Sequence, residues 1–465
     1  MDILLTHGFF LAEDTAEQRV MKPYPPLGLL YISSYLKGKG FDVRLCDNTF
    51  STREAFFHLL ENERPGIVGI YVNMVTKFNA LAIIRRAKAL GAQVVVGGPD
   101  PPYYAEEYLH HGADVVVLGE GEETLEELVP LLKETPGSEP KQVAGIVYRN
   151  EGGQVQRTAA RPFIPDLDTM PLPDRSSIEL NRYIEAWRRH HGYGPISLIT
   201  ARGCPYQCTW CSHSVFGKSL RKRSPESVAD EVELLINTYA PDALWFADDV
   251  FNIDHKWLFS YAEILKQRKI SIPFECICRA DRLNEELVET LKEMGCEKIW
   301  LGSESGSQRL LDAMKRGVKA EQVQKMTRVS RNHGIRTGMF LMWGFEDECH
   351  DDIRETIDHV KKALPDEVLT TVSYPIKGTE YYDRMESAGR IAGNGAWETA
   401  NDRMLRIRRR HSKRYYDHVN RWLHNEVARA RISTTASSFW TRLRVYAAIQ
   451  AGKLGMLLTS FQREV

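Results

Sequence analysis

From residue 2 to about 133, short apolar runs alternate with amphipathic stretches of helical length. DILLTHG (2–8), DVRLCDN (42–48), GIVGIYVNM (66–74), QVVVGGP (93–99) and DVVVLGEGE (114–122) have the length and β-branched content of buried strands. Between them lie GLLYISSYLKGKG (28–40), REAFFHLLENE (53–63), FNALAIIRRAKALG (78–91) and YYAEEYLHHG (103–112). These are rich in helix formers, and three of the four close on glycine, a common helix stop. Five such units predict a parallel sheet covered by helices on both faces, a doubly wound, flavodoxin-like α/β domain over residues 1–140. Sheets of this kind bind ligands beyond the carboxyl ends of their strands. Here those ends carry Gly8, Asn73, Gly97, Gly98, Asp100, Gly119, Glu120 and Gly121.

Residues 141–190 read as a hairpin (AGIVYRNEGGQVQRT, 144–158) followed by a proline-broken linker (FIPDLDTMPLPDR, 163–175). The alternation then resumes over 191–392. Strand patterns recur at ISLITA (196–201), ALWFADD (243–249), FECICRA (274–280), KIWLGSES (298–305), GMFLMWGF (338–345) and VLTTVSYP (368–375). Helical patterns separate them, among them SPESVADEVELLINTY (224–239) with its Ser-Pro-Glu start. Six units predict a partial β/α barrel, whose chemistry would lie at the C-terminal mouth of its strands. From 393 to 465 the pattern is helical. RMLRIRRRHSKRYYDHVNRWL (403–423) is basic with interleaved aromatics, and SSFWTRLRVYAAIQAGKLGMLLTSFQ (437–462) is amphipathic with cations interspersed.

Composition narrows the class. A chain of 465 residues, 43% hydrophobic and 26% charged, is long enough for two or three packed domains. Its net charge of −1 gives no global attraction to nucleic acid. Eight cysteines are too few for a disulfide scaffold in a chain of this length, and MDILLTHGFF lacks the regions of a signal peptide. The expectation is a cytoplasmic protein, with peripheral contact at the inner membrane face through 403–465 as the reservation.

The cysteines are not evenly spread. TARGCPYQCTWCSH (200–213) sets Cys204, Cys208 and Cys211 in a C-x3-C-x2-C spacing just after the first strand of the second half. A closed structural zinc site takes four ligands, and ferredoxin-type clusters also take four thiolates. Three thiolates on one loop leave a metal position open. The bland alternatives are a zinc ribbon short of a ligand, or three unrelated buried cysteines. Cys276 and Cys278 lie two apart on a strand, share a face and read as packing residues.

That spacing, with Trp210 before the last cysteine and a six-unit barrel around it, resembles the radical S-adenosylmethionine (SAM) superfamily. The resemblance implies a [4Fe–4S] cluster on Cys204, Cys208 and Cys211, with SAM chelating the fourth iron and cleaved to a 5′-deoxyadenosyl radical. It also implies cofactor contacts from Trp210, Asp248 in FADD, Arg279 in CICRAD, and Ser303 and Glu304 in GSES, with MWGFEDE (342–348) against adenine. PPLGLLYISSYLKGKG (25–40), VVVGGPDPP (94–102) and DVVVLGEGEETLEEL (114–128) resemble the cobalamin-binding domain that precedes the barrel in one subclass. Cobalamin would then meet the glycine-rich strand ends. The D-x-H-x-x-G signature of His-ligated cobalamin is absent, so no protein imidazole is expected on cobalt.

The resemblance implies hydrogen abstraction from an unactivated carbon and methyl transfer from methylcobalamin. The alternative is ring formation or carbon–carbon coupling without methyl transfer, on a lipid or tetrapyrrole. The partners implied are a small-molecule or lipid substrate and an external flavodoxin- or ferredoxin-type electron donor, with nucleic acid disfavoured.

Overall fold

The computed structural model of the chain describes residues 1–134, 139–393, 395–432 and 438–464. Ser437, where the amphipathic tail pattern begins, lies outside them. Two compact units emerge. One comprises Met1–Pro205, Ser212–Trp245 and Gly395–Asn401; the other comprises Tyr206–Cys211, Phe246–Asn394 and Asp402–Val465.

The first unit is built on seven strands: β1 (Ile3–His7), β2 (Val43–Cys46), β3 (Ile67–Tyr71), β4 (Gln93–Gly97), β5 (Val115–Val117), β6 (Ile146–Arg149) and β7 (Val155–Arg157). They form one sheet in the order β2-β1-β3-β4-β5-β6-β7, the first five parallel. Its helices are α1 (Thr15–Val20), α2 (Leu27–Gly38), α3 (Arg53–Glu63), α4 (Lys77–Ala89), α5 (Ala105–His110), α6 (Glu122–Glu134) and α7 (Leu180–His191). Successive side chains on a strand point to opposite faces. Leu4, Val68, Val94, Val96 and Val116 accordingly join one core with α3, α4 and α5. Ile3, Leu5, Ile67, Val95 and Val117 join another with α2 and α6. A sheet buried on both faces needs unbroken apolar strands, which is why these runs do not alternate.

Two sequence expectations are corrected here. The 144–158 hairpin, assigned outside the first domain, extends its sheet: β5 pairs antiparallel with β6 through Val115 and Tyr148. Ile146, Val147 and Tyr148 enter the two cores, so the sheet continues past residue 140. The linker also contains α7, whose Leu180, Tyr183, Ile184 and Trp187 are buried at helical spacing. Gly192 ends it in the left-handed conformation.

Further strands of this unit are β8 (Pro195–Leu198), β9 (Ala201–Arg202), β10 (Arg221–Lys222) and all but the last residue of β11 (Ala243–Phe246). Between β10 and β11 runs α8 (Pro225–Tyr239), capped by Ser224, whose oxygen accepts from Ser227 N–H, with Pro225 at the first helical position.

In the second unit β12 (Phe274–Cys278), β13 (Cys296–Glu304), β14 (Arg336–Trp343) and β15 (Glu367–Val372) pair in sequence order, all parallel. With them come α9 (His255–Arg268), α10 (Glu285–Glu293), α11 (Gln308–Ala313), α12 (Ala320–Asn332), α13 (His350–Ala363), α14 (Glu380–Ser387), α15 (Lys413–Ile432) and α16 (Phe439–Thr459). The basic run 403–412 is not α-helical as the pattern suggested. Arg406–Ile407 pairs antiparallel with Ile391–Ala392, so the strand–helix region does not stop at residue 392. Arg410 is buried there, donating to Glu464 and to the Ser373 carbonyl. Helix starts only at Lys413.

Candidate active site

The cysteine loop rises from a short ribbon: β9 pairs antiparallel with β10, Arg202 opposite Arg221 and Ala201 opposite Lys222. Gly203 follows in a left-handed conformation (φ 84°), and a Cβ there would lie 2.0 Å from the Ser219 carbonyl oxygen. Only glycine fits between Arg202 and Cys204. The ribbon is pinned from below by carboxylates. Arg202 donates to Glu120 Oε1 and Glu122 Oε1, each at 2.7 Å. Arg221 Nη1 donates to both Glu120 oxygens at 2.9 and 2.8 Å, and Ile164 N–H donates to Glu120 Oε2. Burial disfavours the Arg202 charge, but Glu122 and Glu120 more than offset it and hold the guanidinium firmly ionised. After the loop, Ser214 donates to the Pro99 carbonyl and Ser212 shares a bond with Tyr103. The segments flanking the cysteines are thus tied to the glycine-rich ends of β4 and β5.

This changes the meaning of several predicted cobalamin contacts. Glu120 holds the ribbon, and Asp100 accepts from the Tyr108 hydroxyl at 2.5 Å. Asn73 caps its own turn, its Oδ1 accepting from Val75 and Thr76 N–H. A Cβ on Gly8 would stand 2.8 Å from Ala80 N, and one on Gly98 2.5 Å from the Val72 carbonyl. Both glycines answer to the protein's own packing. Gly97, Gly119 and Gly121 remain at the strand ends, with Gly119 in a left-handed conformation. Apolar surface nevertheless faces outward at this edge, where Val75 and Phe78 are exposed.

His7 sits at the end of β1 and is buried. Its Nδ1 accepts from Phe9 N–H at 3.1 Å, which leaves Nε2 to donate to Asp47 Oδ1 at 3.0 Å. Tyr183 of α7 donates to the other Asp47 oxygen at 2.6 Å. Burial alone would raise the Asp47 carboxyl, but these partners hold it below the usual range. With both ring nitrogens engaged, His7 has no lone pair to offer a metal.

In the second unit, Thr209 N–H donates to the Met314 carbonyl and Tyr381 N–H to the Thr209 carbonyl, which fixes the loop around Cys208. Cys211 N–H donates to the Cys208 carbonyl at 3.2 Å. Arg316, buried, donates through Nη1 to Cys208 Sγ at 3.5 Å and through Nη2 to the Gly302 carbonyl at 2.8 Å. Its Nε lies 4.0 Å from Glu304. Glu304 ends β13 at φ 61°, an unusual backbone for a non-glycine residue, and burial pushes its carboxyl up.

Arg279, 2% exposed, is gripped on three sides. Asp281 accepts from its Nε and Nη2, the Arg316 carbonyl accepts from Nη2 at 2.6 Å, and the Tyr206 ring lies 3.6 Å from the guanidinium carbon. Asn252 brackets its backbone. The expected two-pronged grip on a ligand carboxylate is therefore not available, because Asp281 already takes that edge. Nη1 alone is buried without a partner. Trp210 packs beside Met314, Met342, Phe345 and Tyr381, and its indole N–H is likewise buried and unpartnered. Two orphaned donors beside the cysteine loop suit a ligand rich in acceptors, as SAM is. Cys204, Cys208 and Cys211 are free thiols, a donor type that suits iron, although among the described residues no three Cys, His, Asp or Glu side chains are gathered closely enough to hold a metal ion. Asp248, after β11, is buried.

Ser303 does not join this group. Its hydroxyl bonds His359 Nε2 of α13 at 2.9 Å, on the face that also buries Cys276, Cys278, Ile299 and Leu301. Strand alternation turns it away from Gly302 and toward the helix layer. Cys276 and Cys278 lie on that same face, 3.7 Å apart at sulfur, and burial raises the Cys276 thiol well above its usual value. They are packing residues, as their spacing suggested.

Sequence reasoning missed the opposite face. Lys298 pairs with Glu367 at 2.7 Å and Glu275 at 3.5 Å, and Trp300 Nε1 donates to Glu275. Trp300 stacks on Phe340 at 5.0 Å. Lys298, Glu275 and Glu367 lie toward the N-terminal ends of their strands and Trp300 and Phe340 at mid-strand, whereas Arg279, Glu304 and the β14–α13 loop lie at the C-terminal ends. In that loop Glu348 Oε2 accepts from Gly344 N–H, Oε1 has no partner, and burial pushes the carboxyl up to about 8. The signal for this face was legible as Lys-x-Trp in KIWLGSES, where charge and aromatic alternate with Ile and Leu.

Comparison with known proteins accounts for both units. Residues 19–129 match the B12 binding domain and residues 198–360 the radical SAM superfamily. An uncharacterised methyltransferase of Pyrococcus horikoshii is 30% identical over 370 residues, 77% of this chain and 78% of that protein. An anaerobic magnesium-protoporphyrin IX monomethyl ester cyclase of Rubrivivax gelatinosus is 26% identical over 358 residues, 74% of this chain and 63% of the cyclase. Among solved structures, the radical SAM methyltransferase TsrM of Kitasatospora setae, with cobalamin and a [4Fe–4S] cluster bound, shares the fold. Its TM-score is 0.70 at 22% identity, over 85% of this chain and 81% of that one. A B12-binding domain followed by a radical SAM domain, on a fold of this kind, places the chain in the family of cobalamin-dependent radical SAM enzymes, whose cofactors are a [4Fe–4S] cluster, SAM and cobalamin.

Proposed function

We propose that this protein is a C-methyltransferase, placing a methyl group on an unactivated carbon of a small molecule, with lipids and tetrapyrroles as the classes to try first. The observation that carries the reading is the relative from Pyrococcus horikoshii, a methyltransferase by name, aligned over both domains. The bound cofactors would supply a carbon-centred radical on one side and a methyl donor on the other. The chain's part is to hold and to orient. Cys204, Cys208 and Cys211 would ligate three irons, and Arg316 would steady the Cys208 thiolate. Arg279 Nη1 would meet the SAM carboxylate, with Trp210 Nε1, Asp248 and Glu304 supplying the remaining polar contacts. An external one-electron donor of flavodoxin or ferredoxin type belongs to this reading.

Mass spectrometry with methyl-deuterated SAM tests it. The expected product carries the label, and S-adenosylhomocysteine and 5′-deoxyadenosine accumulate in equal amounts. The second reading, ring formation, is favoured by the cyclase relative. An unlabelled product, with deoxyadenosine and no matching homocysteine, would replace methyl transfer with that reading.

A further inference from the structure

Helix α16 carries two apolar faces, and the protein uses only one. At about 100° per residue, Ile449, Gly452, Met456 and Thr459 share one side, and all four are buried. That side is built for close approach. A Cβ on Gly452 would lie 2.8 Å from Trp422 N of α15, and one on Gly455 would lie 2.4 Å from the His418 ring. The large side chains point the other way. Trp440, Leu443, Tyr446, Leu454 and Leu458 fall within about 60° of a single line on the opposite side, and Phe461 follows just beyond the helix end. They are exposed, Trp440 at 74% and Phe461 at 77%. A soluble surface rarely leaves a continuous apolar stripe of this kind uncovered.

Charge says what covers it. Arg442 flanks the stripe at about 100° on one side and Arg444 at about 100° on the other, while Lys453 turns to Glu426 and the Trp422 ring of α15. Arg442 and Arg444 are exposed. From Val427 to Arg463 there are six cations and no carboxylate. A second protein copy would bring the same cations against these and gain no complementary charge. An aromatic and aliphatic stripe edged by cations matches the boundary of an anionic lipid leaflet, where headgroups meet arginine and acyl chains take the stripe. Among the described residues no helix is long and apolar enough to cross a membrane, so the helix would lie in the surface.

We propose that α16 is an interfacial anchor that holds the enzyme on anionic membrane surfaces through the Trp440–Leu458 stripe. The inference does not depend on which reaction the enzyme performs.

Flotation of the full-length holoenzyme tests it, with phosphatidylcholine vesicles and with vesicles that also contain phosphatidylglycerol. The wild type is expected to float with the anionic vesicles and much less with the neutral ones. L454D/L458D is expected to stay at the bottom with its iron content and melting temperature unchanged, since both side chains are exposed. R442Q/R444Q is expected to lose about five-fold in anionic partitioning per cation while keeping its weak neutral binding. No flotation of the wild type, or equal flotation of wild type and L454D/L458D, would overturn the proposal. So would a wild-type dimer in light scattering that L454D/L458D converts to monomer without vesicles, since the stripe would then be a self-association face.

Discussion

Arg316 Nη1 lies 3.5 Å from Cys208 Sγ, and the same guanidinium is clamped to the Gly302 carbonyl. A buried cation fixed against a ligand sulfur stabilises added negative charge on a cluster, because the field is not screened by water. Replacing Arg316 with Gln should therefore make the cluster harder to reduce. Losing about 1.4 kcal/mol of preferential stabilisation corresponds to a shift of about 60 mV for one electron. EPR-monitored redox titration should show the R316Q midpoint more negative by an amount of that order. An unchanged midpoint would mean that the contact only positions the loop.

The cysteine assignment has a direct control. C204A/C208A/C211A should hold no [4Fe–4S] cluster after anaerobic reconstitution, while C276A/C278A keeps its full iron content. Iron analysis and EPR read both. A cluster surviving the triple change would remove the three from the site.

His7 predicts a negative spectroscopic result. Because Phe9 N–H and Asp47 occupy both ring nitrogens, cobalt(II) bound to the holoenzyme should show no imidazole nitrogen splitting in its EPR signal. H7A should leave that signal unchanged while lowering stability, since Asp47 loses a partner in the core. Nitrogen splitting that disappears in H7A would contradict the hydrogen-bond assignment.

Glu120 is buried and accepts from Arg202, Arg221 and Ile164 N–H. Removing one member of a buried ion network strands the others, at a cost of about 3 to 5 kcal/mol. E120A should lower the thermal midpoint by several degrees and reduce iron retention together, because Arg202 adjoins Gly203 and Cys204. A fall in stability with cluster loading untouched would show that the network supports the sheet alone.

His359 gives a pH dependence. Burial, with a smaller contribution from Lys362, pushes its pKa down to about 4 from the usual 6.5. The unfolded chain therefore binds a proton between those values that the folded chain refuses, so stability is present above about 6.5 and drains away as pH falls toward 4. The loss at pH 4 is on the order of 3 kcal/mol. Melting temperatures of wild type and H359L between pH 7.5 and 5 should converge as pH drops. A constant gap would assign His359 no proton-linked role.

The strands, the β/α alternation and the cysteine spacing were legible because each rests on local pattern. Continuous valine runs marked a sheet buried on both faces, and Ser224-Pro225 marked the start of α8. Helix α7 was equally legible, with Leu180, Tyr183, Ile184 and Trp187 in register before Gly192, but the prolines of 163–175 drew the segment into a linker. Partners distant in sequence left no such trace. Nothing in GEGE says that Glu120 meets Arg202, 82 residues on. Nothing in GSES says that Ser303 turns outward to His359, or that Asp281 already occupies the edge of Arg279 meant for a ligand. Those depend on which face the strand presents, and the bulge between Gly302 and Glu304 sets that only in three dimensions.

The Glu120 network also limits how this chain can be cut. A fragment ending at residue 190 keeps every strand of the seven-stranded sheet, yet it loses Arg202 and Arg221 together. Glu120 and Glu122 would then lose their arginine partners, Glu120 keeping only the Ile164 N–H among those named, and the missing Gly395–Asn401 segment would deprive Lys77 of its two carbonyl acceptors at Trp397 and Ala400. Such a piece would not be a portable module. An exchange between relatives that respects this architecture must carry both sides of the ribbon, so the natural seam of inheritance does not coincide with the end of the sheet.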